Sequence, residues 1–312
     1  MGPQTRAGLN GVAAGTVKSG PPDSTRVNEN EATLIWADEY SRMAEAYDRN
    51  IAPYFEPMAR RVAELADPKP GELFLDLSTG TGLLACILAP QVAPQSVVAI
   101  DLADGALAVA SQRAGALGLR NLRFEMMDVR NIVYRGNLFD GVTCSFGIPR
   151  VGFARVFAEA QRVVKPGGRF LFVSWSENTD TASTAVDDLL AKYATATPSK
   201  RLADIRAARQ FTRSHPDFKP SFDPKILIAA LRAAGFRDIH AEPQPHDAAF
   251  EPPERYLDFR LSYGEWDQEV AEMDSASRDA FRRDVIARLR ELARDVALAV
   301  AWPHHYVSAR KP

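Results

Sequence analysis

The residues best placed to do chemistry lie in the stretch LFLDLSTGTGLLA, from Leu73 to Ala85. An apolar run reaches Asp76 and Leu77, a Ser-Thr-Gly-Thr-Gly turn follows, and an apolar helix starts. Glycines between a strand and a helix let the backbone close tightly on a nucleotide-like ligand. Gly80, Gly82 and Ala85 fit the G-x-G-x-x-A form of a nicotinamide-dinucleotide fingerprint, and they fit a turn for S-adenosylmethionine equally well. Asp101, about twenty residues after Gly80, does not separate the two, because both ligands carry a ribose whose hydroxyls suit a carboxylate. Asp76 does separate them. A dinucleotide turn brings a pyrophosphate against the strand end and helix N-terminus, where a carboxylate is unwelcome. A ligand with an ammonium and a sulfonium, and no phosphate, favours one. Asp76 as a plain turn former or helix cap is the competing reading.

The elements that must position these residues follow from pattern. Residues 1–30 are rich in Gly, Pro, Ser and Thr, and read as a mobile tail that cannot bury enough surface to offset its ordering entropy. Over 31–70, Trp36, Tyr40, Met43 and Tyr47 recur at helical spacing, and a second helix runs from about Tyr54 to Leu65 before Pro68 and Pro70. These helices are expected to cover the active site. Over 71–175, strands at Leu73–Leu77, Val97–Asp101, Leu122–Met127, Phe139–Ser145 and Phe170–Trp175 alternate with helices, and the turn KPGGR precedes the last of them. Such alternation predicts a parallel sheet with helices on both faces. A helical lid insertion is expected over 176–222. Over 223–312 the core resumes with a helix that has Asp223 as N-cap, Pro224 at its first position and Gly235 closing it. A sixth strand near Asp238–Glu242, a second helical insertion at about 252–299 and a final strand at His305–Ala309 complete it.

Beyond the glycine turn, Asp128 ends the third strand in FEMMDV, and the fourth leads to Ser145 and Phe146 in SFGIPR. This order resembles the class I S-adenosylmethionine-dependent methyltransferases, in particular the small-molecule branch around the ubiquinone and menaquinone C-methyltransferases. The resemblance covers about Trp36–Trp175 well and Asp223–Gly235 with the last strand more loosely. It implies an α/β, Rossmann-like sheet of seven strands, mostly parallel, with the last strand antiparallel between the fifth and sixth. It implies S-adenosylmethionine as cofactor, with Asp76 and the Gly80-Thr81-Gly82 backbone at its methionine end. Asp101 would take the ribose hydroxyls with Leu102 against adenine, and Asp128 would accept from the adenine amino group beside Val129. Ser145 and Phe146 would face the methyl group, and Tyr47 in AEAYDR is similar to the family's Tyr-Asp pair near the cofactor. The family usually has Gly where this chain has Ser78, which alters the backbone approach there. The Asn/Asp-Pro-Pro-aromatic motif of many adenine and cytosine N-methyltransferases is replaced by SFGIPR.

Methyl transfer from a sulfonium is an in-line displacement on an activated donor, so a base is optional. The histidines are its natural candidates. His304 and His305 precede a final strand that would begin at the cofactor edge, His215 lies in the first insertion, and His246 stands beside Asp247, whereas His240 reads as structural. No His, Asp and Cys residues cluster at metal-ligand spacing, so no metal is expected. Cys86 and Cys144 sit in apolar runs and read as buried reduced thiols, in keeping with a cytoplasmic protein. A net charge of −2 gives no reason to expect nucleic acid or an anionic membrane as partner. No apolar run approaches the roughly 20 residues of a membrane helix, and homo-oligomerisation is left open. The expectation is an enzyme that methylates O or C of a small, partly apolar, quinone-like or secondary metabolite. A cyclase-like enzyme on the same fold, a binding protein with a vestigial pocket and a nicotinamide enzyme are the rivals.

Overall fold

The structure, a computed structural model, describes residues 27–176, 180–219, 223–293 and 296–312. The tail expected over 1–30 lies outside the described residues up to 26, as do three short joints within the two expected insertions.

Two helices open the described chain: α1 (Glu29–Asn50) and α2 (Ala52–Ala66). Asn28 caps α1 in a reciprocal box, accepting from the Glu31 N–H at 3.0 Å while its own N–H donates to the Glu31 carboxylate at 2.8 Å. Such a cap is worth about 1 kcal/mol and fixes where the helix begins. The alternating core follows as β1 (Phe74–Leu77), α3 (Leu83–Val92), β2 (Val97–Asp101), α4 (Asp104–Ala116), β3 (Leu122–Met126), β4 (Phe139–Ser145), α5 (Phe153–Val163) and β5 (Val164–Trp175). Then come α6 (Thr181–Tyr193), α7 (Lys200–Ser214), α8 (Pro224–Ala233), β6 (Arg237–Gln244), β7 (Asp247–Phe250), α9 (Arg255–Arg260), α10 (Trp266–Ala271), α11 (Ser275–Leu292), β8 (Leu298–Ala301) and β9 (His304–Arg310).

The main sheet has seven strands in the order β3-β2-β1-β4-β5-β9-β6. The pairs among β1 to β5 are parallel, and β9 runs antiparallel between β5 and β6. This is the expected topology. The KPGG segment is accommodated as an irregularity: pairing of β4 with β5 jumps from Phe139–Val164 to Gly141–Arg169, so the prolyl-glycyl residues are looped out of register. The strand order reverses between β1 and β4, and this switch point is where open α/β sheets bind ligands, beyond the carboxyl ends of the strands.

Both faces of the sheet are covered, which is why its central strands are mostly apolar on both faces rather than alternating. One face packs Phe74, Val97, Leu171 and Val173 against α2 and α3. The other packs Leu75, Val98, Val142, Phe170 and Phe172 against α5 and α8. Cys86 and Cys144 are buried and free. The α6, α7 and α9–α11 helices, with the two-stranded β7–β8 sheet, form a helical roof joined to the first of these cores through Phe250, Tyr256 and Trp302. Among the described residues, no helix is long and apolar enough to cross a membrane.

Candidate active site

The glycine turn is built by three left-handed residues between β1 and α3: Ser78 at φ 48°, Gly80 at 53° and Gly82 at 78°. Gly82 also has a packing reason, since a Cβ there would sit 2.8 Å from the Cβ of Ala110 on α4. Ser78, where the resemblance leads one to look for glycine, carries a side chain through this conformation and donates to the Gly147 carbonyl at 3.0 Å. A Cβ on Gly147 would lie 2.3 Å from the Ser78 Cβ. The serine therefore ties the turn to the loop after β4, and that loop must carry a glycine to accept it.

Asp76 is buried and does not line the cavity described below. Parallel register sets it beside Thr143 on β4. Its carboxyl group accepts from the Thr143 hydroxyl at 2.8 Å and from the Thr79 hydroxyl, in the turn itself, at 2.7 Å. Burial pushes its pKa up to about 7, against the lowering effect of the two hydroxyls, and Asp101 adds to the rise. Asp101 sits at the end of β2, accepting from the Gly80 N–H at 2.8 Å and the Ala103 N–H at 3.0 Å. Burial raises its pKa as well, opposed by these backbone bonds. Two carboxyls thus hold the turn, one from beneath and one from the cavity side.

The cavity, of 740 Å³, runs from this turn into the roof. On its turn side it is lined by Ser78, Gly80, Thr81 and Asp101, by Ser145 and Phe146 after β4, and by Tyr47 on α1. Gly82, Leu102, Asp128 and Val129 lie outside the lining. One stripe of α1 makes a wall: Ala32, Trp36, Tyr40, Ala44 and Tyr47 repeat at intervals of three and four residues. Burial pushes the Tyr40 hydroxyl up to about 12 and the Tyr47 hydroxyl further in the same direction, so both stay protonated near neutrality.

On its roof side the cavity is aromatic and arginine-bearing. Phe146 adopts φ 56°, a conformation uncommon for a bulky residue, and stacks on Trp175 with centroids 4.3 Å apart. Phe55 lies against both, and Phe259 stacks on Trp302 at 5.1 Å. The Arg209 guanidinium is paired with Glu265 at 2.7 Å, and that of Arg260, which is buried, is paired with Asp187 and lies over the Trp266 ring at 4.4 Å. The Tyr256 hydroxyl donates to Asp180 at 2.5 Å, joining α9 to the start of α6.

None of the four candidate histidines, His215, His246, His304 and His305, lines this cavity. His304 and His305 are buried on β9, and alternation along the strand sends them to opposite faces. The His304 ring is 2.9 Å from the Trp302 carbonyl through Nδ1 and meets Phe146 edge-on at 6.1 Å. Burial lowers the pKa of both, leaving neutral rings at physiological pH. His215 follows α7, where its Nδ1 accepts from the Asp217 N–H at 3.1 Å and its ring lies 5.5 Å from Phe211. Phe211 does reach the cavity wall.

Residues 74–168, from β1 into β5, match the family model described as a methyltransferase domain. That stretch of the chain is similar to methyltransferase domains. Its relatives point the same way. Nocamycin O-methyltransferase from Saccharothrix syringae is 29% identical over 217 residues, covering 65% of this chain and 74% of that protein. The ubiquinone/menaquinone biosynthesis C-methyltransferase of Brucella abortus is 36% identical over 160 residues, 48% of this chain and 60% of its own length. The demethylmenaquinone methyltransferase of Symbiobacterium thermophilum is 32% identical over 145 residues, 44% of this chain and 58% of its own. The chain thus spans less than two thirds of the length of the two quinone enzymes. Among solved structures, a candidate methyltransferase of Bacillus halodurans superposes with a TM-score of 0.53 at 20% identity, over 81% of this chain and 98% of that one.

Around this core, sequence reasoning passed over several residues that the cavity wall contains. Arg130, Arg150, Asp180, Arg209 and Arg260 are charged residues in it that carried no motif. The signal for Arg130 was its place two residues after Asp128, just past a strand end on the binding edge. The roof residues come from three separate helices, and no sequence spacing links them.

Proposed function

We propose that the protein transfers the methyl group of S-adenosylmethionine to an oxygen or carbon of a small, partly apolar acceptor. The observation that carries this reading is the continuity of one cavity from the glycine turn and Asp101 to the Phe146–Trp175 stack and the roof aromatics. In this reading the backbone of Gly80, Thr81 and Gly82 and the side chain of Ser78 shape the methionine end. Asp101 takes the ribose hydroxyls, and Asp76 acts from below the turn as its support. Ser145, Phe146 and Tyr47 surround the sulfonium, whose positive charge suits aromatic faces. The site is built to hold two molecules in line and to exclude water. Orientation of that kind can supply roughly 7–11 kcal/mol of the barrier, against the 10²–10⁴-fold that one base typically adds. The aromatic roof favours a flat acceptor such as a phenol, enol or quinol, whose oxygen or ring carbon is already nucleophilic.

The test is turnover. Purified protein, labelled S-adenosylmethionine and a panel of phenolic, enolic and quinol acceptors should yield S-adenosylhomocysteine and a methylated product. Binding of the donor without label transfer to any member of the panel would count against this acceptor class. Failure to bind S-adenosylhomocysteine by calorimetry would overturn the reading itself.

A further inference from the structure

Asp128 stands just beyond β3, where the family resemblance implies an acceptor for the adenine amino group. Its carboxylate is already engaged. Oδ1 accepts from the Arg130 backbone N–H at 2.8 Å and from Arg130 Nε at 3.0 Å, and Oδ2 accepts from Nε at 3.2 Å and Nη2 at 2.7 Å. An ionised carboxylate offers about four lone-pair sites, and three N–H groups of this one arginine are directed at them, with Nε–H shared between the two oxygens. Asp128 is also absent from the cavity wall, whereas Arg130 stands in it.

Arg130 then reaches across to the first turn of α1. Its Nη1 donates to Glu29 at 2.8 Å and its Nη2 to the Thr33 hydroxyl at 2.9 Å. Glu29 is held a second time by Arg155 from α5. Glu29 and Thr33 belong to the same cavity-lining stripe as Trp36 and Tyr40, one to three turns further along. The Arg130 side chain is only 10% exposed, so its charged hydrogen bonds are poorly screened by solvent. The loop that carries Asp128 and Arg130 is itself fixed to the ribose-side acid, because the Met127 N–H donates to the Asp101 carbonyl at 2.9 Å.

We infer that Arg130 is a positioning residue for donor binding: its guanidinium clasps the amino end of α1 against the donor half of the cavity, and Asp128 acts through Arg130 instead of accepting from the adenine. The inference rests on the S-adenosylmethionine reading for its ligand, and on the ion-pair geometry alone for the clasp. Physically, the α1 wall must sit at a fixed distance for Trp36, Tyr40 and Tyr47 to close on the donor. The Glu29–Arg130–Asp128 chain sets that distance at the end of the helix remote from its packing on α2.

Two measurements on the full chain test it. The first is hydrogen exchange of the ligand-free protein. Arg130→Met should speed exchange in residues 31–36 about tenfold, because it removes charged hydrogen bonds that hold this turn closed. The second is calorimetry with S-adenosylhomocysteine and with its analogue bearing hypoxanthine in place of adenine. Arg130→Met should raise the Kd for S-adenosylhomocysteine about tenfold, Arg130→Lys should recover part of that loss, and Asp128→Asn added to Arg130→Met should change little more. The preference for adenine over hypoxanthine should be the same in wild type and Asp128→Asn. Collapse of that preference in Asp128→Asn, or a second full loss in the double variant, would show Asp128 reading the adenine directly and overturn the inference. So would unchanged α1 exchange in Arg130→Met. A wild-type protein that binds neither ligand, with the exchange difference intact, would instead overturn the donor reading and keep the clasp.

Discussion

The buried carboxyl of Asp76 lends itself to a quantitative test. Its pKa rises from an ordinary 3.8 to about 7 on folding, chiefly by desolvation. The folded chain therefore keeps a proton that the unfolded chain releases between about pH 4 and pH 7. Stability that depends on this proton is fully present below the ordinary carboxyl value and is lost as pH rises through about 7. At about 1.36 kcal/mol per pH unit, the whole span is worth about 4 kcal/mol, of which roughly 2–3 kcal/mol falls between pH 5 and pH 8. That is a large fraction of the 5–15 kcal/mol typical of a domain.

Asp76→Asn removes the titration and keeps the shape. The amide oxygen can accept from one of the two threonine hydroxyls, and the other hydroxyl rotates to accept from the amide nitrogen. Urea unfolding of wild type and variant, ligand-free, at pH 5 and pH 8 is the assay. Other titrating groups cancel in the difference between the two proteins, so the variant should gain roughly 2–3 kcal/mol on wild type over this interval. A difference that stays constant with pH would refute the placement of Asp76 in a desolvated threonine pair. A corollary concerns the ligand. A sulfonium favours the ionised carboxylate, so donor affinity should rise with pH through about 7 in wild type and flatten in Asp76→Asn, read by calorimetry across the same range.

Three further substitutions probe the site. Asp101→Ala should weaken S-adenosylhomocysteine binding at least about tenfold by calorimetry, because a hydrogen bond to a charged group is worth ~1.5–3 kcal/mol; unchanged affinity would place the ribose elsewhere. Gly147→Ala should cost about 1–3 kcal/mol in urea unfolding through its overlap with Ser78, and Ser78→Gly in the same chain should recover part of the loss, since it removes the atom that the new methyl meets; no recovery would locate the damage away from the turn. His304→Phe should leave kcat within about threefold, because a neutral ring packed on Phe146 supports the site without moving a proton; a fall of 10²-fold or more with normal donor affinity would make it the base.

What the sequence disclosed and what it withheld divide along a physical line. The parallel core was legible because β1, β2 and β4 are short apolar runs closed by turn residues, and because a glycine turn followed by acids at successive strand ends has few other structural uses. The order β5-β9-β6 came with the family resemblance and not from periodicity. The β7–β8 pair was illegible for a different reason: four-residue strands at 247–250 and 298–301 have no local pattern, and their pairing closes a loop that only tertiary packing can stabilise. Ser78 shows the same limit within a motif. Its departure from glycine was visible, but its use depends on Gly147, 69 residues away. Arg130 marks the limit most sharply, because its partners are two residues and about a hundred residues distant at once. A strand-end acid reads as a ligand contact when only its own segment is in view. Once Glu29 folds over it, the same carboxylate becomes the anchor of a guanidinium, and the surface offered to the ligand changes from an acid to an arginine that holds a helix in place.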